Sequence, residues 1–465
     1  MTASTSNGSM GASSPWPSFW IASSAVFLVA LDTTMLFAAF DALRRNFEGT
    51  SAAELSWVLN AYTVVYAAML ILSGGLADAY GRRRIFQLGL AVFDGASFAC
   101  GVAPSVGWLI VARVLQALGA ALLTPASMSI VLAAFPIDKR AVAVSLWGAV
   151  GGLAAAVGPS LGSWITHKAG WPWAFYINLP IGLWALWLSA SSIEEAVKPT
   201  QRRRMDILGL LLLMAAVGSL TLAIVESGEG RWSNQTLIAM AVGGIFAGLI
   251  FVLWARSRDD ALIDLEIFKH RTYRFVNAAT LVFGIAFSMM FLGFFFFMLG
   301  VWHYSLPLAG LAVTLGPLLV MPTAIVTGRL ASRLGHRRFL VGGSLLYAAS
   351  TLWFYFVPSN EANYLLHWLP GLIMSGVAVG LVLPSLSAAA VSRLPAQHYD
   401  VGSAVNQATR QIGSAIGVAL TVAMLARPAL QRTDFDTYYL LLATLALLTG
   451  LLCLPVDTRP RTSPV

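Results

Sequence analysis

The sequence predicts an all-α integral membrane protein: two pseudo-symmetric six-helix bundles plus two inserted linker helices, fourteen transmembrane helices in all. Three observations carry this. The 465 residues are 58% hydrophobic and only 11% charged, whereas a soluble chain takes about 25% charged residues. Fourteen apolar runs approach or exceed the roughly 20 residues a helix needs to cross a bilayer. One string also occurs twice, 254 residues apart, each time after an even-numbered run.

The elements follow in chain order. Residues 1–17 are rich in Ser, Thr and Gly and hold no Lys or Arg. They lack the basic start of a signal peptide and are expected to form a disordered tail that is retained. The N-terminal bundle, residues 18–195, takes the runs Phe19 to Phe40, Leu55 to Leu76, Ile85 to Ala103, Trp108 to Ala133, Ala141 to Ile165 and Trp173 to Ala190. The linker, residues 196–258, takes Ile207 to Ile224 and Thr236 to Trp254. The C-terminal bundle, residues 259–457, takes Phe275 to Val301, Leu308 to Leu330, Phe339 to Val357, Leu365 to Ala390, Val401 to Ala426 and Tyr438 to Leu454. Residues 458–465 are a second tail.

An even helix number puts both termini on one side, and Lys and Arg mark the cytoplasmic side. With the termini inside, 21 of the 29 Lys and Arg fall on inner segments and 6 on outer loops. The other two, Arg113 and Arg410, lie within helices. Both termini are therefore expected to be cytoplasmic, in a multi-pass inner-membrane protein. Topology and contact with anionic membrane lipids account for the net charge of +8 without nucleic acid. The two cysteines, Cys100 and Cys453, are expected near opposite faces and unpaired.

The repeated string runs Gly74-Gly75-Leu76-Ala77-Asp78-Ala79-Tyr80-Gly81-Arg82-Arg83-Arg84 and again Gly328-Arg329-Leu330-Ala331-Ser332-Arg333-Leu334-Gly335-His336-Arg337-Arg338. Both glycines, the Leu-Ala pair and the last two arginines coincide. Two parallel halves are a common transporter plan, so the repeat favours alternating access over a receptor or an anchor. Each copy is expected on an inner loop. Two polar stripes add to this. Arg113, Gln116, Thr124 and Ser127 share a face of the fourth helix; Ser403, Asn406, Arg410, Ser414, Gly417 and Thr421 share one of the thirteenth. Polar groups at membrane depth face protein or a water-filled cavity. Gln116, Thr124, Asn406, Arg410 and Ser414 are read as substrate-cavity wall, against the alternative of hydrogen bonding between helices.

Five strings together resemble the major facilitator superfamily, and within it the fourteen-helix drug:proton antiporter branch. Gly74 to Arg84 is similar to motif A of that superfamily. Arg113-Val114-Leu115-Gln116-Ala117-Leu118-Gly119 resembles motif B, with Ala117 for the usual Gly. Gly158-Pro159-Ser160-Leu161-Gly162-Ser163 resembles the antiporter motif C, with Ser163 for its last Gly. Leu31-Asp32-Thr33-Thr34 opens like the first-helix motif, which then departs at Phe37 and Asp41. Trp171-Pro172-Trp173-Ala174-Phe175-Tyr176-Ile177-Asn178-Leu179-Pro180-Ile181-Gly182 matches a branch pattern with Pro172 for Arg. The resemblance implies proton-coupled efflux of small lipophilic compounds, such as drugs or antibiotics. It implies a motif A latch built on Gly74, Asp78, Gly81, Arg82 and Arg83, and an outer seal at Gly158, Pro159 and Gly162. It makes Asp32 the leading proton carrier.

Of the 21 acidic residues only Asp32 and Asp94 lie well inside apolar runs. Counted from the outer helix ends, Asp32, Asp94 and Arg113 sit at depths of roughly 12, 14 and 8 Å. All three are expected to meet and couple protons, with a purely structural role for Asp94 as the alternative. The ninth helix carries Phe283, Phe287, Phe291 and the run Phe294 to Phe297, which goes all round a helix, so some of these rings are expected to face lipid. The six histidines are scattered, with no metal-ligand or catalytic spacing. No cofactor, metal or enzymatic activity is expected, and no G-x-x-x-x-G-K loop makes ATP the driver. A lipid, glycolipid or dedicated-metabolite translocator on the same fold is the rival reading. An adaptor partner is not indicated by any long outer domain.

Overall fold

The computed structural model describes residues 14–136, 139–193, 206–227, 232–258, 261–395, 399–427 and 429–458. Among them every regular element is helical. In the first half the helices are α1 (Trp16–Asn46), α2 (Ala52–Tyr80), α3 (Arg82–Gly101), α4 (Val106–Ala134), α5 (Arg140–Ala169), the short α6 (Trp173–Tyr176) and α7 (Asn178–Ser192). The linker forms α8 (Ile207–Ser227) and α9 (Asn234–Arg256). The second half forms α10 (Arg271–Gly300), α11 (Leu306–Leu334), α12 (Arg337–Phe356), α13 (Leu369–Val391), α14 (Tyr399–Leu425) and α15 (Asp436–Cys453). Thirteen spans among the described residues are long and apolar enough to cross a membrane. Helix α3 fails that hydropathy test because Arg82, Arg83 and Arg84 open it and Asp94 interrupts it. It packs between α4 and α7 and completes the fourteen.

Four features differ from expectation. Helix α1 begins at Trp16, inside the stretch read as a tail, because Pro15 and Pro17 suit a helix start. It also runs past Phe40, so Arg44 and Arg45 are helical and pair with Asp41 at 3.0 and 2.7 Å. The sixth span is broken between α6 and α7 at Ile177, just ahead of Pro180. The repeated strings are mostly helix rather than loop: α2 continues to Tyr80 and α11 to Leu334. A single glycine turns the chain each time. Gly81 has φ +98° and Gly335 φ +77°, a region that L residues with a Cβ rarely enter. Replacing either by Val is expected to lower stability by about 1–3 kcal/mol, read as a drop in thermal unfolding midpoint in detergent. A silent Gly335→Val would sever the structural equivalence of the two turns.

The two halves meet along α2 with α14 and α5 with α11. Their meeting is uneven from one face to the other. The face bearing both chain ends is called the basic face here. Towards the opposite face, one hydrophobic core joins the halves: Leu31 to Leu43 of α1 share it with Phe283 to Met298 of α10. Phe37 lies 5.5 Å from Phe291, and Phe40 lies 6.2 Å from Phe296, between ring centroids. Towards the basic face the first half has a core of its own, from Phe19 to Ile193, with no residue of the second half in it. Among the described residues, the core shared by the two halves thus lies towards the far face.

The phenylalanines of α10 correct an expectation. Phe283, Phe291, Phe294, Phe295 and Phe297 are all buried. The remaining pair, Phe287 and Phe296, pack against the core. Helix α10 is walled by α13, α14 and α15 with α1 across the joint, so most of its Phe run is enclosed and only Phe287 and Phe296 stay partly exposed. Helix α9 does the opposite, packing on α8 and exposing Ile238, Val242, Ile245, Phe246, Leu249 and Leu253. Asp206 clasps this pair to the bundle. It accepts from the Gly209 amide at 2.8 Å, the Trp254 indole at 2.9 Å and the Leu262 amide at 2.9 Å. Partial burial disfavours its charge, but those three donors and the Arg258 guanidinium outweigh it and hold the carboxyl below its ordinary range.

Candidate functional site

Two small-residue contacts bring the first-half helices close enough to assemble a polar centre. Gly119 of α4 presses on the backbone of Phe93, and Gly89 of α3 presses on Leu123; an added Cβ at Gly119 would come within 2.6 Å of the Phe93 nitrogen. This sets the next turn of α3, Ser97 and Cys100, against Gln116 of α4.

Asp32 of α1 lies at the middle of the resulting cluster and is 1% exposed. Its carboxylate accepts from Arg113 Nη1 at 2.6 Å, Gln116 Nε2 at 2.9 Å and Asn178 Nδ2 at 3.0 Å. Arg113, also 1% exposed, donates from Nε to the Val58 carbonyl at 3.0 Å and from Nη1 to Gln116 Oε1 at 2.5 Å. Its guanidinium lies 4.0 Å from the Tyr62 ring centroid. Gln116 further donates to Ser97 Oγ at 2.8 Å. Five helices therefore contribute to one dry ion pair. Removing water from two charges costs several kcal/mol each, which only good geometry and full hydrogen bonding recover. Here the carboxylate accepts three bonds, and the guanidinium is bonded through Nε and Nη1 and stacked on Tyr62.

The expected trio is only partly assembled. Asp94 does not join Arg113. It is 4% exposed, and neither carboxylate oxygen has a hydrogen-bond partner. It faces α7, where a side chain at Gly182 would strike its carboxylate. Depth along a helix matched the three residues, but direction around the helix separates them. Gln116, read as cavity wall, belongs instead to the Asp32 cluster. Thr124 bonds the Tyr66 hydroxyl at 2.9 Å. Asn406 is 3% exposed and donates to Asn277 at 3.1 Å and Thr280 at 2.9 Å on α10, so it ties helices together rather than lining a space. The Ser414 carbonyl accepts from Ser288 at 3.0 Å. Arg410 is partly buried and donates to Gln407 at 2.5 Å. Sequence reasoning gave no role to Asn178, Ser97 or Tyr62. Asn178 had a signal, since it sits in the quoted Trp171 to Gly182 string.

The motif C residues form a joint of three helices. An added Cβ at Gly158 would strike Thr34 of α1, and one at Gly162 would lie 2.9 Å from the Met35 Cα. On the other side, Gly310 of α11 abuts the Pro159 carbonyl and Ser163. Helix α5 thus packs on α1 and on the second half at once, within a turn of Asp32. Gly162→Leu is expected to part α1 from α5 and to cost about 1–3 kcal/mol, read as a drop in thermal unfolding midpoint. Gly148→Leu, on the same helix with nothing within 4 Å, is the control and should leave both unchanged. In motif A, Arg83 Nη2 reaches the Ala190 carbonyl at 2.5 Å and Nη1 the Ile193 carbonyl at 3.3 Å, capping the end of α7. Arg82 donates to the Ser129 carbonyl of α4 at 3.3 Å. Gly74 and the Asp78 side chain lie outside the described residues, and with them the acid of the latch.

The model of the Major Facilitator Superfamily matches residues 22–204 and 276–465. The chain belongs to this superfamily. The stretch between the two matched segments is the α8–α9 linker and its exit, so the match falls on the two bundles. Among its relatives, this superfamily member is 32% identical to the puromycin resistance protein pur8 of Streptomyces alboniger over 87% of this chain and 80% of that protein. It is 31% identical to the multidrug resistance protein Stp of Mycobacterium tuberculosis over 86% and 74%, and 30% identical to the multidrug export protein EmrB of Escherichia coli over 86% and 78%. In fold it is similar to a D-xylose-proton symporter, with a TM-score of 0.68 at 14% identity, covering 97% of this chain and 99% of that one. The superfamily member described here is accordingly a multi-pass membrane transporter.

Proposed function

We propose that this transporter exports small lipophilic compounds across the cytoplasmic membrane in exchange for protons, by alternating access between its two halves. The basic face is taken as cytoplasmic, since it gathers most Lys and Arg. A shared core at the far face, with a separate first-half core at the basic face, then supports an inward-facing form. The observation that supports the reading best is the buried Asp32–Arg113 pair, 2.6 Å apart beside the joint of α1, α5 and α11. Protonating Asp32 removes the charge that holds Arg113. Arg113 would keep the Val58 carbonyl, Gln116 and the Tyr62 ring. The α1–α4 contact weakens, and α1 is the helix that closes the far face through Phe37 and Phe40. Proton binding and release are thereby coupled to the seal. The relatives named for drug resistance and export give the cargo class. The reading assigns the chain no bond-making chemistry.

The test is reconstitution in liposomes holding a pH-sensitive dye. An imposed proton gradient should drive uptake of some members of a lipophilic drug panel, each with substrate-dependent proton flux. Uptake that persists after the gradient is collapsed would contradict exchange.

A further inference from the structure

Arg410 is the second arginine within the membrane span, and the Asp32 cluster does not use it. Its place is well fixed. Gly284 of α10 abuts its carbonyl, leaving 2.7 Å for any added Cβ, and Gly413 abuts the Leu281 carbonyl one turn on. The backbone of α14 is therefore pressed onto α10 at this level. The guanidinium bonds back to Gln407 on its own helix, and α14 packs on α2, the helix of Tyr66. Tyr66 is itself held by Thr124 of α4. Arg410 thus lies on the second-half helix that packs on α2 of the first half.

Its single side-chain partner among the described residues is neutral, Gln407. Among the described residues no ion pair to it is formed. The nearby helices supply no carboxylate either. Asp78 is twelve residues beyond Tyr66 on α2, about 18 Å, and Asp400 is ten residues before Arg410, about 15 Å. Glu226 ends α8, far beyond Val217, the residue that packs at Ala415 of α14. Asp32 is consumed by Arg113, and Asp94 lies behind α4 against α7. A permanently charged guanidinium at membrane depth without a counter-charge is costly. Its planar fork matches a carboxylate or a similar oxyanion bidentately.

We propose that Arg410 anchors an acidic group on the substrate, so that this transporter prefers lipophilic organic acids to neutral or cationic molecules of the same shape. The apolar body would lie against the aromatic surface beside Tyr66, and the oxyanion would complete the guanidinium. This rests on the export reading above, but its test is separate because it needs no gradient. Two matched fluorescent probes serve, dansyl-glycine with a free carboxylate and dansyl-glycinamide without one. Equilibrium binding to the full chain in nanodiscs should favour the acid by about ten- to a hundredfold. Arg410→Gln should remove that preference while amide binding stays within about twofold. Arg410→Lys should keep part of it. Equal binding of the two probes by the parent protein, preference for the amide, no binding of either, or a preference unchanged in Arg410→Gln would each overturn the proposal. The parent comparison alone decides if the Gln variant does not fold. Loss of proton-driven uptake with the preference intact would count against the export reading and leave the Arg410 assignment standing.

Discussion

Asp32→Asn is expected to abolish uphill transport while leaving substrate exchange intact. The amide has the shape of the protonated carboxyl, and its single oxygen still accepts either from Arg113 or from Gln116 and Asn178, so part of the cluster is kept. What is lost is the site that changes charge. One proton per substrate across a gradient of one pH unit supports about tenfold accumulation. The variant should fall to no accumulation at any imposed gradient. Energy-independent counterflow, in which labelled substrate enters as unlabelled substrate leaves, should continue. Accumulation by Asp32→Asn equal to the parent would remove Asp32 from the coupling mechanism.

Arg113→Met is expected to be the more damaging change to the fold. It leaves the Asp32 charge buried with only the neutral donors Gln116 and Asn178. Stranding one member of a buried pair costs about 3–5 kcal/mol, and the contact with Tyr62 is lost as well. The variant should show a sharply lower unfolding midpoint and poor yield. Adding Asp32→Asn removes the stranded charge, so the double variant should be more stable than Arg113→Met alone. The coupling should be about 1–3 kcal/mol. Strictly additive effects would mean the two residues do not act as a pair.

These expectations show which features the sequence carries in the open. Fourteen helices were legible because a bilayer demands long apolar runs, and the doubled turn was legible because both copies need a glycine with positive φ, at Gly81 and Gly335. Asp32 and Arg113 were legible because charges at membrane depth are rare and expensive. Asp94 misled because depth along a helix says nothing of direction around it. Its neighbour one turn on, Ser97, points into the cluster, while Asp94 points at Gly182. Tyr62 was hidden in an apolar stretch, where one ring carries no signal until helices are packed, whereas Asn178 stood in the quoted Trp171 to Gly182 string without its partners being legible. The Phe run of α10 was misjudged because a helix central to a bundle is mostly enclosed, and centrality is a property of packing alone. The α14 stripe divided for a similar reason: Asn406 turned to α10, while Arg410 bonds Gln407 on its own helix.

The central claim is exchange of substrate for protons through Asp32, and a reversal measurement tests it most directly. Parent protein and Asp32→Asn are reconstituted, opposing gradients of substrate and proton are imposed, and the substrate ratio at which net flux vanishes is found at several pH differences. For the parent the null ratio should move about tenfold for each pH unit if one proton is exchanged, and further if more are. For Asp32→Asn it should stay at one. A parent null ratio fixed at one whatever the pH difference would contradict proton exchange outright.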